Sequence, residues 1–129
     1  MNVSEHESLK GLVRRVVGCA YQVSNTLGAG FLEKVYERAL LAELEYCGLA
    51  AVPQPQITVR YRGRAVGQYN PDIIVEDRLI LELKCVDAFN DEHLAQCLNY
   101  LRAANLPEAL LINFKHPKVE WRRIYSPNH

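Results

Sequence analysis

The chain has 129 residues, with 49% hydrophobic and 23% charged side chains, and its 15 basic and 15 acidic residues give a formal net charge of zero. This length is close to the commonest domain size, so we expect one globular domain with a real hydrophobic core. The neutral charge counts against a nucleic-acid-binding protein, which usually has a basic excess, although a local basic patch is compatible with it. No apolar run approaches the ~20 residues of a membrane span.

The amino-terminal residues are polar and contain no apolar signal core, so we expect a cytoplasmic protein without a membrane segment. Four cysteines are scattered along the chain without any Cys-x-x-Cys pair: Cys19, Cys47, Cys85 and Cys97. Reduced thiols are the simplest expectation for that pattern. The spacing does not call for a zinc site that adds histidines to the cysteines; the histidines are His6, His93, His116 and His129.

Two helices are predicted in the first part of the chain. Apolar residues recur on one helical face from about residue 5 to residue 27, which indicates a packing helix. The glycines at residues 28 and 30 break this pattern, and a second helix is expected to run to about residue 46. Glu33 lies in its first turn, where a carboxylate stabilises the helix dipole. Glu43 projects into the apolar stripe, beside either an arginine or a functional site.

A loop with two prolines is expected over residues 47–56, followed by strands over residues 57–62 and 64–69. Three arginines surround the turn between these strands: Arg60, Arg62 and Arg64. They indicate either phosphate contacts or simply a solvated hairpin tip.

Residues 71–84 organise the rest of the sequence. Two apolar runs flank a short charged turn at residues 76–78, which predicts a β-hairpin. Asp72, Glu82 and Lys84 interrupt these runs, although a buried charge is costly unless it is paired or bound to a metal. Such a conflict between local pattern and burial marks an expected functional site.

The length of that turn decides whether the charges meet. A three-residue turn places Asp72 directly opposite Glu82, with Lys84 on the same face as Glu82, because side chains alternate along a strand. A two-residue turn would put the two carboxylates on opposite faces. We expect the three-residue turn.

Two adjacent carboxylates repel each other, and a divalent cation removes that repulsion. The oxygens of Asp72 and Glu82, the carbonyl of Leu83 and water suit Mg²⁺ or Mn²⁺. Lys84 is then placed to orient a water or to stabilise negative charge on a phosphate. The alternative is a charge cluster on a solvated face of the sheet.

After Lys84, an N-cap at residues 90–91 predicts a third helix that runs to about residue 104. Three polar side chains form a ridge on it, away from its apolar stripe: His93, Gln96 and Tyr100. An apolar strand over residues 110–114 is expected to be central and parallel to a neighbour, because a helix connects it to the strand of Glu82. A last edge strand is predicted over residues 119–125.

Pro71-Asp72, followed by Glu82-Leu83-Lys84, resembles the signature of the PD-(D/E)XK nuclease superfamily. Gly30, Glu33 and Tyr36 are spaced as in the GxxExxY family, a bacterial branch of that superfamily. The resemblance extends from about residue 28 to residue 114.

The resemblance implies that Glu33 is a further metal ligand, and that Gln96 and Tyr100 lie next to the active site. Gln96 is then expected to act with the catalytic set, and Tyr100 and His93 to contact substrate. Tyr36, from the same motif as Glu33, is also predicted to bind substrate.

Together these observations predict an α/β fold, a restriction-endonuclease-like core with a central mixed β-sheet flanked by helices. The single domain would comprise an amino-terminal helix over residues 1–27, a core over residues 28–125 and a frayed tail over residues 126–129. The expected function is Mg²⁺-dependent hydrolysis of nucleic acid, with DNA favoured over RNA and a homodimer left open. The alternative is a catalytically weak or inactive module that binds nucleic acid or protein.

Overall fold

The computed structural model describes the backbone of residues 3–127 and the side chains of residues 8–127. The helices in this part of the chain are α1 (Val3–Leu27), α2 (Glu33–Tyr46) and α3 (Asp91–Ala104). The strands are β1 (Ala51–Pro53), β2 (Ile57–Tyr61), β3 (Arg64–Tyr69), β4 (Ile73–Val75), β5 (Leu79–Lys84), β6 (Glu108–Asn113) and β7 (Glu120–Tyr125). None of the helices in these residues has the length and apolarity needed to cross a bilayer.

Five of the strands form a mixed sheet in the order β1-β4-β5-β6-β7, while β2 and β3 pair as a separate hairpin. β5 and β6 are parallel and are connected through α3, as parallel neighbours require a crossover. The other neighbouring pairs of the five-stranded sheet are antiparallel. The predicted α/β architecture with a mixed central sheet is therefore confirmed.

Apolar residues on both faces of β5 bury the sheet between two helical layers. Leu79, Leu81 and Leu83 face α1 and α2, in a core that also contains Leu40 and Leu44 of α2. Ile80 faces the opposite way and packs with α3 and the β2–β3 hairpin. Glu82 and Lys84 alternate in step with Ile80, so they lie on the α3 side of the sheet.

The β4–β5 hairpin has the predicted register. Val75 pairs with Leu79 and Ile73 pairs with Leu81, which leaves a three-residue turn. Glu76 and Asp77 in that turn both have φ of +54°, a left-handed conformation that tight turns require. Continued by one residue, the same register places Asp72 opposite Glu82.

One strand was not predicted. Residues 51–53 were expected to be part of a loop, but they form β1, which pairs with β4 at the edge of the sheet. Pro53 ends this short edge strand, where a missing N–H group is tolerated. Of the tail predicted over residues 126–129, residues 128 and 129 lie outside the described residues.

Candidate metal centre

Two carboxylates meet at the open end of the β4–β5 hairpin. The backbone N–H of Asp72 donates to Oε1 of Glu82 at 3.2 Å, and the N–H of Leu83 donates to Oδ2 of Asp72 at 2.7 Å. Glu82 is only 4% exposed, whereas Asp72 is half-buried. The hairpin register therefore holds both acidic groups side by side, and the backbone fixes their orientation.

The surroundings disfavour negative charge on both groups. Burial, followed by the neighbouring Asp72 charge, raises the pKa of Glu82 to about 7, although Lys84 acts in the opposite direction. Burial is also the largest cause of a raised pKa at Asp72, and the charge of Glu37 adds to it. The carboxylates thus lack enough positive charge within the protein to offset their desolvation.

This donor set fits a hard divalent cation. The carbonyl of Leu83 points to the same side of β5 as its N–H, which is bonded to Asp72, because both groups of a strand residue face one neighbour. Two carboxylates and one carbonyl are the oxygen ligands that Mg²⁺ and Mn²⁺ take, with water completing the shell.

Lys84 is connected to both the carboxylates and α3. Its Nζ lies 3.5 Å from Oε2 of Glu82 and donates to Oε1 of Gln96 at 3.1 Å. The Gln96 side chain also hydrogen-bonds Tyr100. The structure therefore connects Gln96 and Tyr100 to the carboxylate pair through a continuous series of side-chain contacts.

Tyr100 differs from the expected exposed ridge. It is 5% exposed and packs with the core that α3 buries. Burial and then the charges of Glu82 and Asp72 raise the pKa of its hydroxyl, so it stays protonated. Tyr100 is thus a buried neighbour of the site, and its phenol is a hydrogen-bonding group.

Glu33 begins α2 and lies close enough to the carboxylate pair for the charge of Asp72 to act on it. Desolvation, and then the charge of Asp72, raise the pKa of Glu33, while Lys84 lowers it. The residue remains exposed, so its carboxylate is free to turn toward an ion or a water. A cleft of about 480 Å³ lies beside it, bounded by Gly30, Cys85 and Lys115.

Glu37 was not among the site residues predicted from the sequence. It is 6% exposed, accepts from Nε2 of Gln54 at 2.8 Å and pairs with Lys34 at 2.7 Å. Its charge also raises the pKa of Asp72. Its position four residues after Glu33, on the face that also buries Leu40, was the signal that could have identified it.

Two residues that were predicted to contact substrate make structural contacts within the protein. Tyr36 is 1% exposed, and its hydroxyl donates to the carbonyl of Gly28 at 2.6 Å and accepts from the N–H of Phe31 at 3.2 Å. Its ring stacks on Phe114 with centroids 4.8 Å apart. Tyr36 therefore fixes the glycine loop ahead of Glu33, and its predicted contact with substrate remains a prediction.

His93 completes the N-terminal cap of α3. Its Nδ1 accepts from the N–H of Asn90, and its own N–H donates to Oδ1 of Asn90. Phe89 packs edge-on against the imidazole ring. The structure thus assigns His93 a capping role, and its predicted contact with substrate remains a prediction.

A second group of metal-ligating side chains lies at the α1–α2 contact. Cys19, Glu43 and Cys47 have ligand atoms within 4.8 Å of one another. Glu43 therefore lies beside thiols rather than in the carboxylate pair, and Arg15 donates to the Cys47 carbonyl at 2.8 Å. Of the histidines weighed for a zinc site, His93 and His116 are not in this group, and the side chains of His6 and His129 lie outside the described residues.

Comparison with known proteins bears on this arrangement. A family model described as the PD-(D/E)XK nuclease superfamily matches residues 10–124. The crystal structure of SSO0001 superposes with a TM-score of 0.56 at 16% identity, covering 73% of this chain and 50% of that one. This chain thus spans about half the length of that protein.

An alkaline exonuclease from Laribacter hongkongensis, LHK-Exo, superposes with a TM-score of 0.52 at 12% identity. That superposition covers 84% of this chain and 77% of the exonuclease. At such identities both neighbours establish a common fold. No curated protein gives a significant match to the chain.

Proposed function

Because the chain belongs to the PD-(D/E)XK nuclease superfamily, we propose that it is a metal-dependent nuclease that hydrolyses phosphodiester bonds of nucleic acid. The observation that carries this proposal is the buried carboxylate pair of Asp72 and Glu82, whose charge the surrounding side chains do not neutralise. A carboxylate pair of this kind is stabilised when it binds a cation from solution, because burying unpaired charge is costly.

Asp72, Glu82 and the Leu83 carbonyl would hold Mg²⁺ or Mn²⁺ directly, with Glu33 as a further ligand, directly or through water. A bound ion of this type lowers the pKa of a coordinated water and neutralises charge on a phosphate. Burial of Glu82 keeps bulk water away from this position, which strengthens the electrostatic contacts within it.

Lys84 would supply the remaining positive charge. Its ammonium group has three donors, of which Gln96 takes one and Glu82 another, so the third would orient the attacking water or a phosphate oxygen. Gln96 and Tyr100 would fix the direction of that ammonium group, and a preorganised donor contributes more to a transition state than a mobile one.

Several finer assignments belong to the same proposal. They are membership of the GxxExxY branch, a cytoplasmic location, preference for DNA over RNA, and a homodimer. The Gly30, Glu33 and Tyr36 spacing supports the branch assignment.

The direct test measures cleavage of end-labelled DNA and RNA with Mg²⁺, Mn²⁺ or EDTA. We expect Glu82→Ala to lower the rate at least about a thousandfold, because several kcal/mol of charge stabilisation is lost and each tenfold is about 1.4 kcal/mol. Glu92→Ala removes an exposed carboxylate of α3 and serves as the matched control.

Circular dichroism checks that both variants are folded. Equal cleavage by wild type and Glu82→Ala would refute the assigned site. A folded wild type that cleaves no substrate, and still binds nucleic acid, would favour the binding module over the enzyme.

A further inference from the structure

An open groove of about 660 Å³ separates the β2–β3 hairpin from α3. Arg60 and Tyr69 contribute to its hairpin wall, and Asn99 and Arg102 to its helical wall. The nuclease proposal uses none of these four side chains.

The groove lies next to the carboxylate site, and the contact between Tyr69 and Tyr100 connects the two. On α3, Asn99 and Arg102 follow Gln96, the partner of Lys84, by three and six residues. At 1.5 Å per residue, Arg102 lies about 9 Å further along the helix axis than Gln96. On the opposite wall, the ring of Tyr69 meets that of Tyr100 at 6.2 Å, and Tyr100 lies beside the carboxylates.

The hairpin carries arginine and aromatic side chains that the fold itself does not bury. Every residue of β3 is exposed, and Tyr61 and Tyr69 are 65% and 51% exposed. Arg60 lies in the groove, and Arg62 packs over the ring of Tyr61 near the turn. Among the described residues, neither Arg60 nor Arg102 has an acidic partner within 4.0 Å.

We propose that this groove binds a single strand of nucleic acid and leads it to the carboxylate site. The inference rests on the proposed nuclease function and adds the form of its substrate. Arg60 and Arg102 neutralise backbone phosphates, while the exposed ring of Tyr69 stacks on a base. A basic groove with interleaved aromatic rings is the common solution for single strands, since unpaired bases leave their faces available for stacking.

The test measures the affinity for a fluorescein-labelled 20-nucleotide single strand by anisotropy, in EDTA, so that cleavage does not interfere. The double variant Arg60→Ala/Arg102→Ala is expected to bind at least tenfold more weakly. Its slope of log affinity against log salt should fall by about 1.4, since each phosphate contact with a single strand contributes about 0.7.

A second double variant, Lys10→Ala/Arg14→Ala, removes two exposed charges from α1 and is the matched control. It should change the affinity and the salt slope less than Arg60→Ala/Arg102→Ala does. Tyr69→Ala should weaken binding about tenfold, and Tyr69→Phe, which keeps the ring, should retain wild-type affinity.

Hydrolysis of bis(p-nitrophenyl) phosphate separates this inference from the nuclease proposal, because that substrate is too small to occupy the groove. The groove variant should hydrolyse it at the wild-type rate. If wild type hydrolyses neither this substrate nor DNA or RNA, the nuclease proposal fails, while the binding comparison is still decisive for the groove. Unchanged single-strand affinity in Arg60→Ala/Arg102→Ala, or tighter binding of duplex than of single strand by wild type, would overturn the inference.

Discussion

Two buried glutamates on adjacent strands have opposite surroundings. Glu108, at the start of β6, is 2% exposed and receives two hydrogen bonds from Arg123, at 2.5 and 3.0 Å. Glu82, near the end of β5, is 4% exposed and lies beside the Asp72 carboxylate, with Lys84 at 3.5 Å.

Although these two residues are almost equally buried, their different partners give them different roles. The bidentate arginine neutralises Glu108 inside the protein, so that pair connects β6 to β7 and needs nothing from solution. Asp72 instead adds like charge beside Glu82, and one lysine shared with Gln96 cannot neutralise both. A buried acidic group with a dedicated partner is architectural, and one without it is a candidate site for an external cation.

Among the variants that change the partners of these two glutamates, the largest effect should come from Lys84, whose Nζ lies 3.5 Å from Glu82. Lys84→Met is expected to lower the cleavage rate by about 10²–10³-fold, as for other preorganised donors, while leaving Mn²⁺ affinity within a few-fold of wild type. Single-turnover cleavage and metal titration on the same preparation measure the two quantities. Unchanged cleavage would mean that Lys84 is only a charge partner for Glu82.

Removing the partner of Glu108 should affect stability instead. Arg123→Met leaves a carboxylate buried without a cation, which is expected to lower the free energy of unfolding by about 3 kcal/mol. Urea denaturation measures this loss, and Glu108→Gln/Arg123→Met should recover part of it. Cleavage per folded molecule should stay at the wild-type level. A stability change near zero would contradict the structural role assigned to this pair.

The smallest predicted effect is the change with pH in the stability of the metal-free protein. The native pKa of Glu82 is raised from 4.5 to about 7, so the folded protein keeps a proton that the unfolded chain releases above pH 4.5. The contribution of Glu82 to stability therefore falls as the pH rises from about 4.5 to 7, and the loss is complete above pH 7.

Glu82→Gln removes this penalty, because an amide stays neutral. In EDTA at pH 8 the variant should be more stable than wild type by about 1–2 kcal/mol. This is less than the ~3.5 kcal/mol that the pKa difference between 4.5 and about 7 gives at about 1.4 kcal/mol per unit, because the amide also loses the ion pair with Lys84. The difference should shrink at pH 5. A variant that is less stable at pH 8 would show that ionised Glu82 is already well accommodated without metal.

The hairpin could be predicted from the sequence because its signals are local. Strand alternation and the charged turn fixed which side chains of residues 71–84 share a face, and the observed pairing of Val75 with Leu79 agrees. The contacts of Lys84 with Gln96 connect residues twelve apart, and family resemblance rather than periodicity predicted that neighbourhood.

The missed features depend on tertiary packing. β1 contains only three residues and ends in Pro53, so local propensity favoured a loop, but pairing with β4 compensates. Glu37 resembles an ordinary helical surface residue, and only the contact with Gln54 explains why it is buried. The predicted role of Tyr36 was inferred from its position in the sequence motif. Its stacking on Phe114 depends instead on packing against the end of β6, which lies far along the chain.

The most direct test of the central claim, that Asp72 and Glu82 hold a divalent cation, is Mn²⁺ binding by calorimetry. Wild type should bind Mn²⁺, Asp72→Ala should lose that binding while remaining folded, and Arg123→Met should retain it wherever it is folded. Wild-type binding that persists in Asp72→Ala, or a folded wild type that binds no Mn²⁺, would contradict the account.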